Sequence, residues 1–346
     1  MPSEPGLSPG SLIGGVYKIR RLIGQGGMGE VYAAEGRGGE KVALKILHER
    51  AAQDPDLVAR FNREADIAKK IASPYVAGIL GSGKERDGRL WIAFERLVGE
   101  GLDERLRREQ YLSFAEVAPI IEDSLQGLHA AHHAHVVHRD IKPANLFIEK
   151  RKLTPEEIRG GDPEERTRIL DFGVSKMKQN ASRRSEPSLT AFDATLGSFA
   201  YMAPEQVRGS ARVDERADLY ALGAVAFRAL TGRLPFEGSN ALTLIALKLD
   251  RDPPTLASTT GDTWPKAMEN YLFKIMARDR DKRYGTAMEA LDAWRKVCRV
   301  MGNKPRRPPP PPPPPASPYS MRDDHTEVTA AGFDAPAPLA PPSRRR

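Results

Sequence analysis

The hydrophobic pattern changes period near Gly99, and this change limits the fold more than any single residue does. Before it, apolar residues fall in short runs broken by glycine, at 16–22, 30–34, 41–47 and 90–94, as strands require. One stretch of helical spacing, 55–71, interrupts them. After Gly99 the apolar positions recur at helical spacing, and helices are predicted over 114–134, 219–230, 241–248, 264–276 and 287–300. Strands first and helices afterwards give an α+β chain with a small β-rich lobe over about 16–97 and a larger helical lobe over about 98–300. A chain of 346 residues suffices for two such lobes around a cleft, each with its own core.

The flanks are of different material. Residues 1–15 read as a flexible N-terminal segment. Eight of the 29 prolines form one run, 308–315. Proline has no amide hydrogen, so this run supports neither a helix nor a central strand, and polyproline II is its default. Residues 301–346 are accordingly read as a disordered, proline-rich tail. The net charge of +7 comes from 53 basic against 46 acidic residues, with no basic stripe interleaved with aromatics, so no nucleic-acid partner is expected. One cysteine, Cys298, excludes a disulfide framework and a cysteine-rich metal module. Residues 1–10 lack a secretion signal and no apolar run reaches about 18 residues, so no membrane span and a cytoplasmic location are expected. The segment 219–230 comes nearest to a span, but it is short, contains Arg228, and reads as a buried helix.

The run Ile23-Gly24-Gln25-Gly26-Gly27-Met28-Gly29-Glu30-Val31 joins two predicted strands. Its glycine spacing also occurs at the strand–helix junction of dinucleotide folds, and a glycine-rich structural hairpin is a further reading. A strand follows here, which favours a flap over phosphates, with backbone brought close where β-carbons are missing. Val42-Ala43-Leu44-Lys45 lies on the next strand, where a lysine can reach phosphates. Glu64, on the predicted 55–71 helix, is the candidate anion to hold it.

Downstream stand His138-Arg139-Asp140-Ile141-Lys142-Pro143-Ala144-Asn145, then Asp171-Phe172-Gly173, then Ala203-Pro204-Glu205. In this order the motifs resemble the eukaryotic-like (Hanks-type) serine/threonine protein kinases, particularly the bacterial branch, over about 17–300. The resemblance implies a bilobal protein kinase-like fold and a non-specific serine/threonine protein kinase that uses ATP and Mg2+, or Mn2+ in its place. It implies that Asp140 takes the proton of an acceptor hydroxyl, that Asn145 and Asp171 bind the metal, and that Lys142 faces the transferred phosphoryl group. Ala43 and Phe147 would enclose the adenine, Glu95 and Leu97 would meet its edge through backbone groups, and Phe94 falls at the gatekeeper position. Glu104 is placed near the ribose. Protein substrates with Ser or Thr acceptors follow.

Arg139 is expected to receive an activation-loop phosphate, with Thr190 as the first acceptor and Thr195 as the second. Ser198 stands where the family usually has threonine; it keeps the hydroxyl and loses a methyl. Glu205 is expected to pair with Arg283, and Asp218 to anchor the backbone of the catalytic loop around His138. The segment between Asn145 and Asp171 is about ten residues longer than the family needs, and its charged stretch, 151–166, reads as a surface insertion. That insertion and the proline-rich tail are the two candidate docking places for a regulatory partner. Five of the seven histidines lie within ten residues, 129–138, but the helix must end before His138, so a zinc site is disfavoured. The rival function is a pseudokinase or ATP-binding scaffold, whose mark would be loss of Lys45, Asp140, Asn145 or Asp171; all four are present.

Overall fold

The computed structural model describes residues 7–26, 29–47, 58, 65, 69–160, 163–171, 199–209, 213–238 and 240–302. Glycine-loop residues Gly27 and Met28, together with Glu64, Thr190, Thr195, Ser198 and the tail from residue 303, lie outside the described residues, as does most of the predicted 55–71 helix. The chain divides into a unit of residues 1–309 and a second of residues 310–346, which falls wholly in the undescribed part.

The N-terminal lobe is an antiparallel sheet of six strands in the order β1-β2-β3-β4-β6-β5. These are β1 (Leu12–Ile13), β2 (Tyr17–Gly26), β3 (Gly29–Glu35), β4 (Lys41–Leu47), β5 (Ile79–Lys84) and β6 (Leu90–Glu95). Alternation along β4 sends Val42, Leu44 and Ile46 into one core, and turns Ala43 and Lys45 to the opposite face. β6 is covered on both faces: Trp91 and Ala93 join the first core, while Leu90, Ile92 and Phe94 pack with Leu47 and Ala65 in a second. Its unbroken apolar run follows from that double burial. Within the N-terminal segment, β1 pairs with β2 (Leu12 opposite Lys18, Ile13 opposite Tyr17) and adds an edge strand that the sequence pattern does not signal.

A three-stranded sheet follows, β7 (Gly99–Gly101), β8 (Leu146–Lys150) and β9 (Glu165–Ile169), with β8 central. The helices are α1 (Leu102–Glu109), α2 (Phe114–His133), α3 (Pro155–Gly160), α4 (Pro204–Val207), α5 (Arg216–Thr231), α6 (Ala241–Asp250), α7 (Leu256–Thr260), α8 (Lys266–Ile275) and α9 (Ala287–Met301). Ser113 and Glu116 cap α2 reciprocally, each side chain accepting from the other's backbone N–H. α5 is the axis of this lobe, with fourteen of its sixteen residues buried, which explains its apolar run without a membrane. Gly223 lets α8 approach it, since a β-carbon there would strike Ile275 and Met276. α5 ends at Gly232 in the left-handed region, φ 73°, as helix C-caps favour. Trp294 of α9 is fully buried against Phe114 and Tyr271. Together the lobes form a bilobal kinase-like fold, small and β-rich before the hinge, residues 95–98 from the end of β6 to the start of β7, and mainly helical after it.

The charged segment 151–166 extends the β8–β9 hairpin and carries α3. Arg151 pairs with Glu157 and donates through its backbone N–H to the Glu164 carbonyl at 2.8 Å. Arg105 of α1, itself buried, grips Glu165 with two nitrogens at 2.8 and 3.0 Å and Glu100 at 2.9 Å. Arg108 and Arg105 together hold the Glu100 carboxyl down at about 2. The insertion is thereby tied to the helix that follows the hinge.

Candidate active site

The site forms where the two lobes meet, and Lys45 and Asp171, 126 positions apart, pair across that junction. The β2–β3 hairpin closes with Gly24 opposite Val31, Gln25 opposite Glu30 and Gly26 opposite Gly29. A β-carbon on Gly29 would collide with the Ile46 carbonyl, whereas Gly24 meets nothing nearer than the Val31 side chain at 3.8 Å. Glycine is thus required at 29 by the approach of β4, and at 24 the fold leaves room. Ile23 is exposed, and Glu30 accepts hydrogen bonds from Tyr32 and from Gln25. Val31 stands opposite Lys45 in the β3–β4 register.

Lys45 Nζ donates to Asp171 Oδ2 at 2.6 Å, with 15% and 33% of the two side chains exposed. Asp171 adopts a left-handed backbone, φ 58°, which presents its carboxylate to the lysine directly after β9. Glu64 lies outside the described residues, so the pairing seen at this lysine is with Asp171.

Across the cleft floor, Asp140 is the hub. Lys142 Nζ reaches its carboxylate at 3.0 Å and Asn145 Nδ2 donates to its carbonyl at 2.6 Å. Asn145 sits in the 3-10 turn Pro143–Asn145, and its own carbonyl accepts the N–H of Leu170, the residue before Asp171. Asp140, Asn145 and Asp171 are therefore linked through two hydrogen bonds and one peptide bond. His138 is fully buried; its Nε2 meets the Leu170 carbonyl at 2.8 Å, and Nδ1 accepts the Asp140 N–H at 3.2 Å. Asp218 of α5, also fully buried, accepts the backbone N–H groups of His138 at 2.8 Å and Arg139 at 2.7 Å, and lies 2.9 Å from His132 Nε2. Arg139 is held at φ 66° and donates to the Val213 carbonyl at 3.3 Å. Buried, multiply bonded groups of this kind over-determine a strained backbone. Of the clustered histidines, His132 and His138 serve this network, and no group of three or more His, Cys, Asp or Glu able to hold a metal forms among the described residues.

At the hinge, Phe94 is buried opposite Ala43, and Leu97 is half-buried. Phe147 on β8 is half-buried opposite Arg168 and Gly101. The Glu95 side chain is engaged away from the cleft: it accepts the Gly78 N–H at 2.6 Å and pairs with Arg168. Arg168, buried three residues before Asp171, also reaches Glu149 at 3.0 Å and the Val76 carbonyl at 2.8 Å. Sequence reasoning missed this clasp; a single arginine in a strand carries no signal of it. Glu104 caps the start of α1, its carboxylate accepting the Gly101 N–H at 3.3 Å. Further into the helical lobe, Glu205 and Arg283 form a buried bidentate pair at 2.7 and 2.8 Å.

A family model described as "Protein kinase domain" matches residues 17–294. The serine/threonine-protein kinase pkn3 of Myxococcus xanthus is 34% identical over 334 residues, which cover 94% of this chain and 59% of that relative. The serine/threonine-protein kinase PrkC of Bacillus subtilis is 35% identical over 284 residues, 81% of this chain and 40% of that relative. Among solved structures, the PknI kinase domain of Mycobacterium tuberculosis aligns with a TM-score of 0.63 at 26% identity, covering 84% of this chain and 99% of that one. The chain belongs to the protein kinase domain family, as a homologue of the bacterial Hanks-type serine/threonine kinases. It spans about 40–60% of the length of the two curated relatives named here. No helix among the described residues is long and apolar enough to cross a membrane.

Proposed function

We propose that this chain is a serine/threonine protein kinase that transfers the γ-phosphoryl group of ATP to Ser or Thr hydroxyls of proteins. The observation that carries the reading is the connected set Lys45, Asp140, Lys142, Asn145 and Asp171, gathered by hydrogen bonds at the junction of the lobes. Phosphoryl transfer asks for in-line placement and neutralised oxygen charge more than for covalent help.

The donor set fits a hard cation: the Asp171 carboxylate and the Asn145 amide oxygen, whose Nδ2 end is turned to Asp140. Asn145 and Asp171 would hold Mg2+, or Mn2+ in its place, and the ion would offset phosphate charge there. The backbone of 23–31 covers the phosphates, and Lys45 exchanges its contact with Asp171 for one with phosphate oxygens. Ala43 and Phe147 enclose the adenine, the backbone at Glu95 and Leu97 meets its edge, and Phe94 limits the space behind it. The Glu95 carboxylate is already taken by Arg168, so only main-chain groups remain there for the base.

Asp140 orients the acceptor hydroxyl and takes its proton as the oxygen bonds to the γ-phosphorus and the bond to the β-phosphate oxygen breaks. Lys142, 3.0 Å from the Asp140 carboxylate, holds the phosphoryl oxygens on the acceptor side. Glu64 as the partner of Lys45 in the nucleotide-bound chain, and Thr190 followed by Thr195 as phosphorylated residues read by Arg139, are part of this proposal. So are a regulatory partner for segment 151–166 or the proline-rich tail, and a cytoplasmic site of action, where ATP is supplied. The experiment is transfer of labelled γ-phosphate from Mg-ATP to the chain itself and to a histone acceptor, followed by phosphosite mapping. Label on Ser and Thr is the expected result; nucleotide binding with no label on either protein would overturn the reading in favour of a scaffold.

A further inference from the structure

Among the described residues, Lys248 is the only buried lysine, 1% exposed on α6. A lysine on a surface helix normally keeps its ammonium in water, because burying it without compensation is costly. Here Nζ donates to the backbone carbonyls of Ala200 at 2.7 Å and Met202 at 2.9 Å. The ring centroids of Tyr220 and Phe236 lie 5.1 and 5.9 Å away. Two carbonyls and two aromatic faces surround the charge, and no carboxylate among the described residues pairs with it. Burial, reinforced by the positive charge of Arg283, brings its pKa down to about 7.

The two carbonyls belong to an irregular segment that enters α4, packed in a small apolar cluster with Phe236 and Leu244. Left without donors there, they would carry a desolvation penalty, so the lysine fixes where this backbone can lie. The end of the same segment, at Ala203, is held by Gln206. Its Oε1 accepts the Ala203 N–H at 3.0 Å, and its Nε2 donates to the Arg139 carbonyl at 2.9 Å, one residue before Asp140. The backbone of 200–203 is therefore tied to α6 by Lys248 and to the catalytic loop by Gln206.

We propose that Lys248 and Gln206 are positioning residues that hold the 200–203 backbone in register with Asp140, so that this backbone seats the acceptor polypeptide beside its hydroxyl. The proposal rests on the kinase reading above. Neither side chain touches the reacting atoms; both act through the main chain they hold.

The test compares wild type with Lys248→Met, Gln206→Leu and the double variant in the full chain. Two readouts are taken: steady-state kinetics with a histone acceptor and ATP, and hydrogen–deuterium exchange. Each single variant is expected to raise the KM for histone about tenfold, the size expected for a lost charged or well-aligned hydrogen bond, and to leave the KM for ATP within about twofold. Because both residues hold one segment, the double variant should fall well short of the product of the two effects. Amides of 200–209 should exchange faster in each variant, with β2–β4 unchanged. An unchanged histone KM in both single variants would overturn the proposal, as would equal rises in both KM values with faster exchange throughout the chain. If Lys248→Met does not fold, Gln206→Leu decides by the same criteria. A wild-type chain that transfers no phosphate would sink the kinase reading and the acceptor role with it; the exchange data then still decide whether these two ties hold the segment.

Discussion

Arg283 and Glu205 differ in what each leaves behind when removed, and this asymmetry can be measured. Arg283 is 4% exposed and donates to both oxygens of Glu205, to the Ala277 carbonyl at 2.8 Å, to the Arg216 carbonyl at 3.0 Å and to the Arg278 carbonyl at 3.3 Å. Its guanidinium also lies 4.9 Å from the Tyr220 ring centroid. Arg283→Met strands a buried carboxylate and three carbonyls, a loss of about 3–5 kcal/mol. Glu205→Gln leaves a guanidinium with three carbonyls, a ring face and one amide oxygen, so the cost should be about 1–2 kcal/mol. Equilibrium urea unfolding at pH 7 of both singles and the double variant gives the comparison. The double variant should be more stable than Arg283→Met alone, since its glutamine needs no counter-charge, with a coupling of about 2 kcal/mol. In melting temperature, Arg283→Met should lose roughly 6–10 °C. Equal costs for the two singles, or a double variant less stable than Arg283→Met, would refute the reasoning.

Asp123 on α2 accepts the Thr167 N–H at 2.8 Å, and burial pushes its carboxyl up to about 6. A carboxyl raised in the folded chain weakens it above that value, and the loss disappears as pH falls towards the unfolded value near 4. Asp123→Asn, which can still accept the bond, should therefore gain about 1–2 kcal/mol at pH 7.5 in urea unfolding and roughly a third of that at pH 4.5; an equal gain at both pH values would contradict the cause given. Gly29→Ala should lower the melting temperature by several degrees and weaken ATP binding, because its methyl would strike the Ile46 carbonyl, whereas Gly24→Ala should melt within about 1 °C of wild type. Equal melting losses in the two alanine variants would show that β4 does not press on residue 29.

How far the molecule can be read from its residues depends on whether the determining contact is local. Alternation along β4 and the long apolar run of α5 are local properties, and they appear in the residue order as they do in space. β5 is different. Its sequence, Ile-Leu-Gly-Ser-Gly-Lys, has two glycines that argue against a strand, and the reason for them lies in other strands: a β-carbon at Gly83 would strike the Trp91 ring of β6, and one at Gly81 would press on the Tyr17 hydroxyl of β2. The two-residue β1 and the short charged α1 are also too brief for periodicity to report. The motifs around Asp140 and Asp171 mark which residues bear the chemistry, but not that Lys45 meets Asp171 at 2.6 Å across 126 positions. Lys248 was the least legible. In the sequence it is a polar residue on an amphipathic helix, and only the fold of 200–203 over it makes it a buried donor.

The measurement that bears most directly on the kinase reading separates binding from transfer at one side chain. Asp140→Asn keeps the size of the residue at the hub of the floor and removes its capacity to take a proton. Mg-ATP affinity should stay within about threefold of wild type, because Lys45, Asp171 and Asn145 are untouched, while γ-phosphoryl transfer to a histone acceptor should fall by about a thousandfold. Equal label incorporation by wild type and Asp140→Asn would contradict the account.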